Sequence, residues 1–261
     1  VSVAARRARR FPIFSSTIQF LPVEWHDSLP STNTFLIERA RSEPETPHGT
    51  VVAARAQTAG RGRQQRSWIA APNENITVSF LWNTPVPEGY VPAMAQAISV
   101  GICAALEACV APTIKWPNDV LVGGKKIAGI LCERVVVEGK TVIVAGIGMN
   151  VNMGREGAET IDQPVTSMAL ETGLVFDTEV VLSQLLHALV APLSAWALGG
   201  FAGIRDSYMR YGTAVGTPLR VRDGEKHTAG IFLGFSEQGA LVLRLDGGEE
   251  RVFYSGDVGN L

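Results

Sequence analysis

Residues 127–151 read IAGILCERVVVEGKTVIVAGIGMNV and contain two apolar runs that are rich in β-branched side chains. The runs 127–137 and 141–151 are separated by residues 138–140 alone. A connection this short cannot hold a crossover helix, so it is suited to an antiparallel hairpin. We therefore predict a sheet in which successive strands pair directly.

The segments before this hairpin show both strand and helix patterns. Residues 50–57 are rich in Val and Ala, and residues 75–82 carry large apolar side chains at every second position, which indicates two further strands. Residues 92–109 repeat apolar side chains every four positions beside small ones. This spacing predicts a helix that packs closely on a sheet.

The segments after the hairpin change from helix to strand patterns. Residues 178–198 have a helical period that contains Pro192, which predicts a helix that kinks or restarts there. A further helical stretch ends near Gly212, and short apolar runs separated by Gly and Asp turns follow it. We predict an α+β fold, with a mixed sheet and packed helices over residues 23–212 and a small β-barrel over residues 213–261 that leans on the larger domain.

Composition favours a globular protein and disfavours several kinds of site. With 261 residues, 46% hydrophobic and 18% charged, the chain can bury a large core, and a net charge of -2 predicts no general affinity for nucleic acid. We expect no transmembrane segment and no membrane partner, because no apolar run has the length that a membrane span requires. We expect no dedicated metal site, because the four histidines lie far apart. Buried reduced thiols are expected at Cys103, Cys109 and Cys132.

The first 22 residues are basic. They include Arg6, Arg7, Arg9 and Arg10 and no acidic residue. The composition fits a solvated, poorly ordered leader or a targeting sequence, and we favour the former and a cytoplasmic location. Because these residues show no paired helical periodicity, we expect neither a helix-turn-helix nor DNA binding.

Two polar motifs have compositions that suit ligand binding. Residues 57–66, QTAGRGRQQR, combine glycines with arginines, as a mobile lid over an anion requires, although an exposed basic loop without function is the alternative. Residues 115–119, KWPND, place a cation, an aromatic ring, an amide and an acid together. They could bind a polar ligand at a sheet edge, or form a simple turn with a core tryptophan.

The residues that flank the hairpin add further candidates. Lys126 enters a buried strand, so its ammonium group is expected to point into a pocket, whereas Lys125 is expected to be solvated. Residues 145–152, AGIGMNVN, lack the third glycine of a dinucleotide-binding motif and end a strand rather than open a helix. Glycines inside a strand instead indicate close approach of a ligand or backbone, and Asn150 could bond a base edge. Residues 31–33, STN, are typical of a helix N-cap.

Taken in order, the motifs STN, GRGR, KWPND, KIAGIL and GIGMNVN closely resemble the biotin-protein ligases. The likeness covers about residues 28–152 and extends more loosely to residues 254–258, which look like the closing strand of the family's C-terminal domain. The resemblance implies a class II synthetase-like biotin/lipoate ligase domain, an SH3-like β-barrel and the monofunctional type. It also implies activation of biotin with ATP and Mg²⁺ as biotinyl-AMP, and transfer to a lysine of a biotin carboxyl carrier protein.

The resemblance assigns roles to individual residues. The biotin-binding set would be Ser31, Thr32, Asn33, Gln57, Gly60, Arg61, Lys126, Gly129, Gly146 and Gly148. The ATP-binding set would be Arg61, Arg63, Arg66, Trp68, Asn118, Lys126 and Asn150. The catalytic set would be Lys126, Arg61, Arg63 and Asp119. Lys126 would bridge the biotin carboxylate and the α-phosphate, and Asp119 would accept a proton from the incoming lysine or orient it.

One departure from the family and two alternatives bear on this hypothesis. The family commonly has a further Arg-Gly after GRGR, where this chain has Gln64 and Gln65; a β-carbon at Gln65 restricts positive φ, so we expect loop ordering to be affected. A lipoate or octanoate ligase shares the general fold, although KWPND with GRGR favours biotin. The other alternative is a binding module built on the terminal barrel, with the N-terminal arginines on nucleic acid. The sequence leaves open a monomer or a homodimer.

Overall fold

The hairpin at residues 127–151 lies within a seven-stranded sheet in the computed structural model, which describes residues 18–260. The strands are β1 (Val23–His26), β2 (Val51–Ala54), β3 (Asn75–Trp82), β4 (Pro112–Lys115), β5 (Asp119–Val122), β6 (Lys125–Val137) and β7 (Lys140–Asn150). Their order is β1-β2-β3-β7-β6-β5-β4, with β1 and β2 parallel and the other pairs antiparallel. Glu138 and Gly139 form the hairpin turn with φ of 48° and 77°, as a two-residue turn with matching twist requires. The predicted hairpin and mixed sheet are confirmed.

Helices cover this sheet and connect its strands. They are α1 (Thr32–Ser42), α2 (Met94–Leu106), α3 (Arg155–Glu159), α4 (Met168–Thr172), α5 (Thr178–Gly199) and α6 (Arg205–Tyr211). Short 3-10 turns lie at Arg63–Gln65, Glu88–Ala93 and Gly200–Gly203. Of the predicted basic leader, residues 1–17, which include all four of its arginines, lie outside the described residues.

The two long helices bear on two predictions. Helix α2 lies within the predicted helix at residues 92–109 and contacts β4, β5 and β6, so the predicted packing on the sheet is confirmed. Gly101 lies on the side of α2 that faces α5, since a β-carbon there would lie 2.7 Å from Leu189 Cδ2. The absence of that carbon lets the two helices approach closely. Helix α5 is one continuous helix through Pro192, so the predicted restart is wrong, and the alternative of a kink at Pro192 stays a prediction.

Two helical stretches also exceed the expected apolar length. Residues 88–106 and 178–203 are long and apolar enough to cross a membrane by length and composition alone, contrary to the expectation that no segment would be. Many of their apolar side chains, including Met94, Ile98 and Leu185, are buried in the protein core, whereas Val180 and Leu198 are exposed. The composition of these stretches therefore reflects packing between α2, α5 and the sheet.

A second sheet follows the helices and packs against them. Its strands are β8 (Pro218–Asp223), β9 (Lys226–Phe235), β10 (Leu241–Arg244), β11 (Glu250–Phe253) and β12 (Asp257–Asn260), antiparallel in the order β11-β10-β9-β8-β12. Gln96 of α2 and Trp116 both donate hydrogen bonds to the carbonyl of Gly239, at 3.0 and 3.1 Å. Phe235 packs edge to face on Tyr208 of α6, so one core continues from the helices into the small sheet.

The three cysteines are free, as predicted, but they differ in burial. Cys103 is buried, Cys132 is half-buried, and Cys109 is exposed because it lies beyond the end of α2. Burial raises the pKa of the Cys103 thiol to about 12 and that of Cys132 to about 12, so both remain protonated at neutral pH. The predicted burial of Cys109 is wrong.

An ion pair ties the edge strand β1 to α1 and gives a first prediction. Arg39 donates to both carboxylate oxygens of Glu24, at 2.5 and 2.8 Å, and this pairing lowers the pKa of Glu24 from 4.5 to about 2. Because both side chains are partly exposed, we expect Glu24→Gln to lower the free energy of unfolding at pH 7 by only about 0.5–1 kcal/mol. The pKa of Glu24 is lower in the folded protein than in the unfolded chain. The stabilisation is therefore complete at a pH above the unfolded-state pKa, and it is lost as the pH falls towards the folded-state pKa.

Urea unfolding of wild type and variant at pH 7 and about pH 3 measures this difference, which should shrink at the lower pH. Glu38→Gln serves as the control, because it removes an exposed carboxylate from α1, the helix that carries Arg39. A difference between wild type and Glu24→Gln that does not change with pH would contradict the assignment.

Candidate active site

A cavity with an empty volume of about 460 Å³ opens on the face of the large sheet where β6 and β7 pair. Most of the predicted site residues line it, namely Ser31, Thr32, Asn33, Gln57, Arg61, Arg63, Trp68, Asn118, Lys126, Gly129, Gly146 and Gly148. Residues that the sequence did not single out complete the lining, namely Gly62, Val78, Ile130, Leu131 and Ile147. The cavity therefore combines polar groups from α1, cations and an apolar floor from the sheet.

One wall of the cavity is a buried polar network at the start of α1. Ser31 is the N-cap and accepts a bond from the backbone N–H of Thr34 at 3.4 Å. Thr32 donates to Gln57 Oε1 from its backbone N–H at 2.8 Å and from Oγ1 at 3.2 Å. Ser79 Oγ on β3 lies 2.7 Å from Thr32 Oγ1 and 2.5 Å from Asn33 Oδ1. These bonds fix the side chains before a polar ligand arrives.

Three glycines of β6 and β7 make room for side chains of the protein. A β-carbon would lie 2.1 Å from Asn33 Oδ1 at Gly146 and 2.2 Å from the Trp68 ring at Gly148. At Gly129 it would lie 2.9 Å from Lys126 Cε. At these strand positions the predicted close approach is therefore made by side chains of the protein itself. They are Asn33, Trp68 and Lys126, which also line the cavity.

A β-bulge determines the direction of Lys126. Val120 of β5 pairs with Ala128 and Leu121 pairs with Lys126, so Ile127 is the extra residue on β6. In a regular strand, side chains three residues apart point to opposite faces of the sheet. The extra residue between Lys126 and Gly129 shifts this alternation by one, so both residues face the same cavity. Lys126 Nζ lies 2.8 Å from Asp119 Oδ1, without the angles of a hydrogen bond, and 5.8 Å from the centre of the Trp68 ring.

The glycine-arginine loop forms a narrow hairpin beside the cavity. The backbone N–H of Trp68 donates to the carbonyl of Gly60 at 2.9 Å, and that of Gly62 donates to Arg66 at 2.7 Å. At its tip Gln64 and Gln65 have φ of 53° and 60°, the left-handed region that glycine adopts more easily. Gln65 therefore adopts the positive φ that its β-carbon disfavours. Each residue held in this conformation costs about 1 kcal/mol or more of folding free energy.

The loop arginines contact three different parts of the protein. Arg61 donates to Glu133 on β6 at 2.7 Å, and Arg63 donates to Asn118 Oδ1 at 2.8 Å. Since Asn118 is neutral, and Arg63 has no salt bridge within residues 18–260, the charge of Arg63 is not compensated by a described carboxylate. Lys126 and Arg61 each contact one carboxylate, so the cavity keeps a positive charge that suits an anion.

Four predicted residues do not line the cavity, and Arg66 is one of them. Its guanidinium donates to Asp257 Oδ2 on β12 at 2.5 Å, and Arg222 donates to the same oxygen at 2.5 Å. Burial of Asp257 acts in the opposite direction, but the hydrogen bonds from both arginines lower its pKa. Arg66 therefore connects the loop to the second sheet.

The other three are Asp119, Gly60 and Asn150. Asp119 contacts Lys126, and Gly60 closes the base of the loop. Asn150 is buried at the end of β7, where its Nδ2 donates to the carbonyl of Thr166 at 2.9 Å. Its Oδ1 has no partner among the described residues, so this acceptor remains available.

Comparisons with known proteins agree with this arrangement. Residues 25–150 match the sequence model of the "Biotin/lipoate A/B protein ligase family", and residues 215–258 match the "Biotin protein ligase C terminal domain". The biotin--[acetyl-CoA-carboxylase] ligase of Paracoccus denitrificans is 33% identical over 87% of this chain and 100% of its own length. The bifunctional ligase/repressor BirA of Bacillus subtilis is 30% identical over 90% of this chain and 72% of its own length.

Solved structures show the same fold. A biotin protein ligase from Aquifex aeolicus in complex with biotin and ATP matches with a TM-score of 0.74 and 27% identity, over 92% of this chain and 98% of that one. The predicted α+β fold with a small C-terminal β-domain is confirmed.

Proposed function

The chain belongs to the biotin protein ligase family, and we propose that it joins biotin to AMP in the cavity and then transfers biotin to a lysine of a biotin carboxyl carrier protein. The observation that carries this proposal is the meeting of two features in one cavity. A polar wall formed by buried Thr32 and half-buried Gln57 lines the cavity, and so do three cations, Arg61, Arg63 and Lys126. Such a site suits a substrate with a polar end and an anionic end, as biotin and ATP have.

Biotin binding follows from the polar wall and the apolar floor. The ureido ring of biotin has both donors and acceptors, which the side chains of Ser31, Thr32 and Gln57 can pair with. Ile130 and Ile147 provide apolar surface for the rest of the ring system. Because the polar side chains are already held by one another, little conformational entropy is lost when the ligand binds.

Activation requires two anions to approach each other. The carboxylate oxygen of biotin attacks the α-phosphorus of ATP, the bond to the β-phosphate breaks, and pyrophosphate leaves. Lys126, at the centre of the cavity lining, can contact both the carboxylate and the α-phosphate, and Arg61 and Arg63 add charge from the loop. Cations fixed in place before the reaction stabilise the charge of the transition state more than mobile ones do.

The nucleotide would lie beyond Lys126. The indole Nε1 of Trp68 and Oδ1 of Asn150 are buried without a partner among residues 18–260, and the ring of Trp68 offers a stacking surface. An acceptor such as Asn150 Oδ1 suits the amino group of adenine.

Mg²⁺ would arrive on the ATP phosphates, because it commonly binds through substrate phosphates and the described residues contain no group of three His, Cys, Asp or Glu that could hold it. We also propose a cytoplasmic location for the reaction.

The test uses the purified chain with ATP, Mg²⁺, biotin and a biotin carrier domain, and lipoate in a parallel reaction. We expect a mass increase of the carrier that corresponds to one biotinyl group, and release of pyrophosphate. Lipoyl transfer without biotinyl transfer would overturn the proposal in favour of the lipoate ligase alternative.

A second prediction concerns the place of Trp68. A β-carbon at Gly148 would overlap its ring, so Gly148→Ala should displace the ring from the cavity and raise the KM for ATP and for biotin by about tenfold, roughly the value of one lost aromatic contact. Gly154→Ala is the matched control, since a β-carbon there meets nothing within 4 Å. Steady-state kinetics of pyrophosphate release measure both variants, and equal KM values in the two would contradict this role of Gly148.

A further inference from the structure

Glu133 lies on β6 at the edge of the cavity, and the mechanism proposed above gives it no role. One oxygen of its carboxylate, Oε2, accepts two bonds: from Asn33 Nδ2 at 2.8 Å and from Arg61 Nη2 at 2.7 Å. The side chain is 24% exposed, so the carboxylate is largely withdrawn from water. A single oxygen thus connects the start of α1 to the glycine-arginine loop.

The bond to Asn33 belongs to the polar wall of the cavity. Asn33 also donates to the carbonyl of Leu131 at 3.1 Å, and its Oδ1 accepts from Ser79, which in turn contacts Thr32. The network therefore continues from Glu133 to the residues proposed to hold the biotin ring. Removing the carboxylate would leave one of the Asn33 N–H groups without this acceptor, at a buried position where such a loss is costly.

The bond to Arg61 has a different effect, because Arg61 belongs to a loop. Its side chain is 43% exposed, and the carboxylate of Glu133 holds its guanidinium at the cavity. The bond uses one nitrogen of a group with five N–H donors, so Arg61 remains able to bind an anion while it is held. Charge-assisted bonds of this type are roughly twice as strong as neutral ones.

We propose that Glu133 is a positioning residue that holds Arg61 at the cavity before substrate binds and also fixes Asn33 in the biotin wall. The inference rests on the proposed function for its biotin part, and on geometry alone for the loop part. Glu133 does not contact the reacting atoms; it acts through Arg61 and Asn33. The loop and the polar wall are set by the same carboxylate.

Two substitutions separate the two bonds. Glu133→Gln keeps an oxygen that can accept from Asn33 but removes the negative charge, so the hold on Arg61 weakens. Glu133→Ala removes the oxygen that accepts both bonds. Glu88→Gln is the matched control, since Glu88 accepts a charge-assisted bond from Arg134, the next residue of the same strand, outside the cavity.

Limited trypsin digestion of the ligand-free protein, with cleavage after Arg61 located by mass spectrometry, reports the loop. We expect cleavage about fivefold faster in Glu133→Gln and in Glu133→Ala than in wild type or Glu88→Gln, the size of effect for one partly exposed charge-assisted bond. We expect the KM for biotin to change by less than about twofold in Glu133→Gln and to rise about tenfold in Glu133→Ala, the cost of one unpaired buried donor. In Glu133→Gln, kcat should fall by up to about fivefold, because a less firmly held Arg61 stabilises the transition state less.

The outcomes distinguish this inference from the proposed function. If wild type makes no biotinyl-AMP, the proposed function fails, and the digestion still tests the hold on Arg61. Equal cleavage rates in wild type and Glu133→Gln would overturn that hold, and an unchanged KM for biotin in Glu133→Ala would overturn the hold on Asn33. Should Glu133→Ala fail to fold by circular dichroism, the isosteric Glu133→Gln still decides the loop part.

Discussion

Lys126→Ala is expected to reduce formation of biotinyl-AMP by about 10²–10³-fold, the range seen when one fixed electrostatic group is removed from a transition state. The ammonium group lies in the cavity with 17% of its side chain exposed, and Arg61 and Arg63 approach from the loop. Without Lys126, a carboxylate and a triphosphate would have to meet with less compensating charge. The fold should persist, because the backbone of Lys126 keeps its bonds to Pro164 and Thr166.

Exchange of labelled pyrophosphate into ATP in the presence of biotin measures this step without the carrier. Lys125→Ala is a closely matched control, since the adjacent lysine lies on the outside and contacts Glu171 at 2.6 Å. Transfer from biotinyl-AMP supplied in solution should fall much less than exchange does in Lys126→Ala. Exchange at the wild-type rate in that variant would remove Lys126 from the activation step.

The main strands and helices could be predicted from the sequence, because their periodicity follows from burial. The β-branched runs on both sides of residues 138–139 leave little choice but a hairpin, and the four-residue spacing of α2 matches its buried face. What the pattern could not show is the partner of each buried face. Gly101 indicates close packing because it is small, but its identity does not show that the neighbour is α5.

The cavity could be predicted in part, for a similar reason. Lys126 lines it because of the bulge at Ile127; in a regular strand Lys126 would lie on the opposite face from Gly129, and a bulge has no reliable sequence signal. Ser79 and Glu133 were missed because a polar residue in an apolar run resembles an ordinary solvent-facing position. The alternation in β3 gave no sign that both of its faces are buried.

Arg66 lies apart from the other two loop arginines, and its role in ATP binding stays a prediction. Its neighbours Arg61 and Arg63 line the cavity, whereas Arg66 donates to Asp257 on the second sheet. The two partners lie in different domains of the predicted division and far apart in sequence, so no local pattern connects them. Gln64 and Gln65, in left-handed backbone at the tip, separate Arg66 from the other two arginines.

Asp119→Asn is expected to slow the transfer of biotin from biotinyl-AMP to the carrier lysine by about 10²-fold, the lower end of the range for general base catalysis. A free lysine has a pKa of about 10.4, so only about one amine in a thousand is neutral near pH 7.5, and attack on the anhydride carbonyl requires the neutral form. Asp119 Oδ1 lies 2.8 Å from Lys126 Nζ and 21% of the side chain is exposed, which places a carboxylate beside the proposed anhydride and within reach of an incoming amine. The amine forms a bond to the carbonyl carbon, AMP leaves, and the carboxylate accepts or orients the proton that the nitrogen loses.

Single-turnover transfer from purified biotinyl-AMP, followed by quenching and mass spectrometry of the carrier, isolates this step from activation. Pyrophosphate exchange by Asp119→Asn should fall by less than about tenfold, because a polar oxygen of the same shape remains beside the Lys126 ammonium group. Asp246→Asn, in an exposed turn of the second sheet, controls for the loss of one negative charge. An unchanged transfer rate with reduced exchange would show that Asp119 acts only by holding Lys126, since a group that removes or orients the proton of the acceptor cannot lose its charge without slowing transfer.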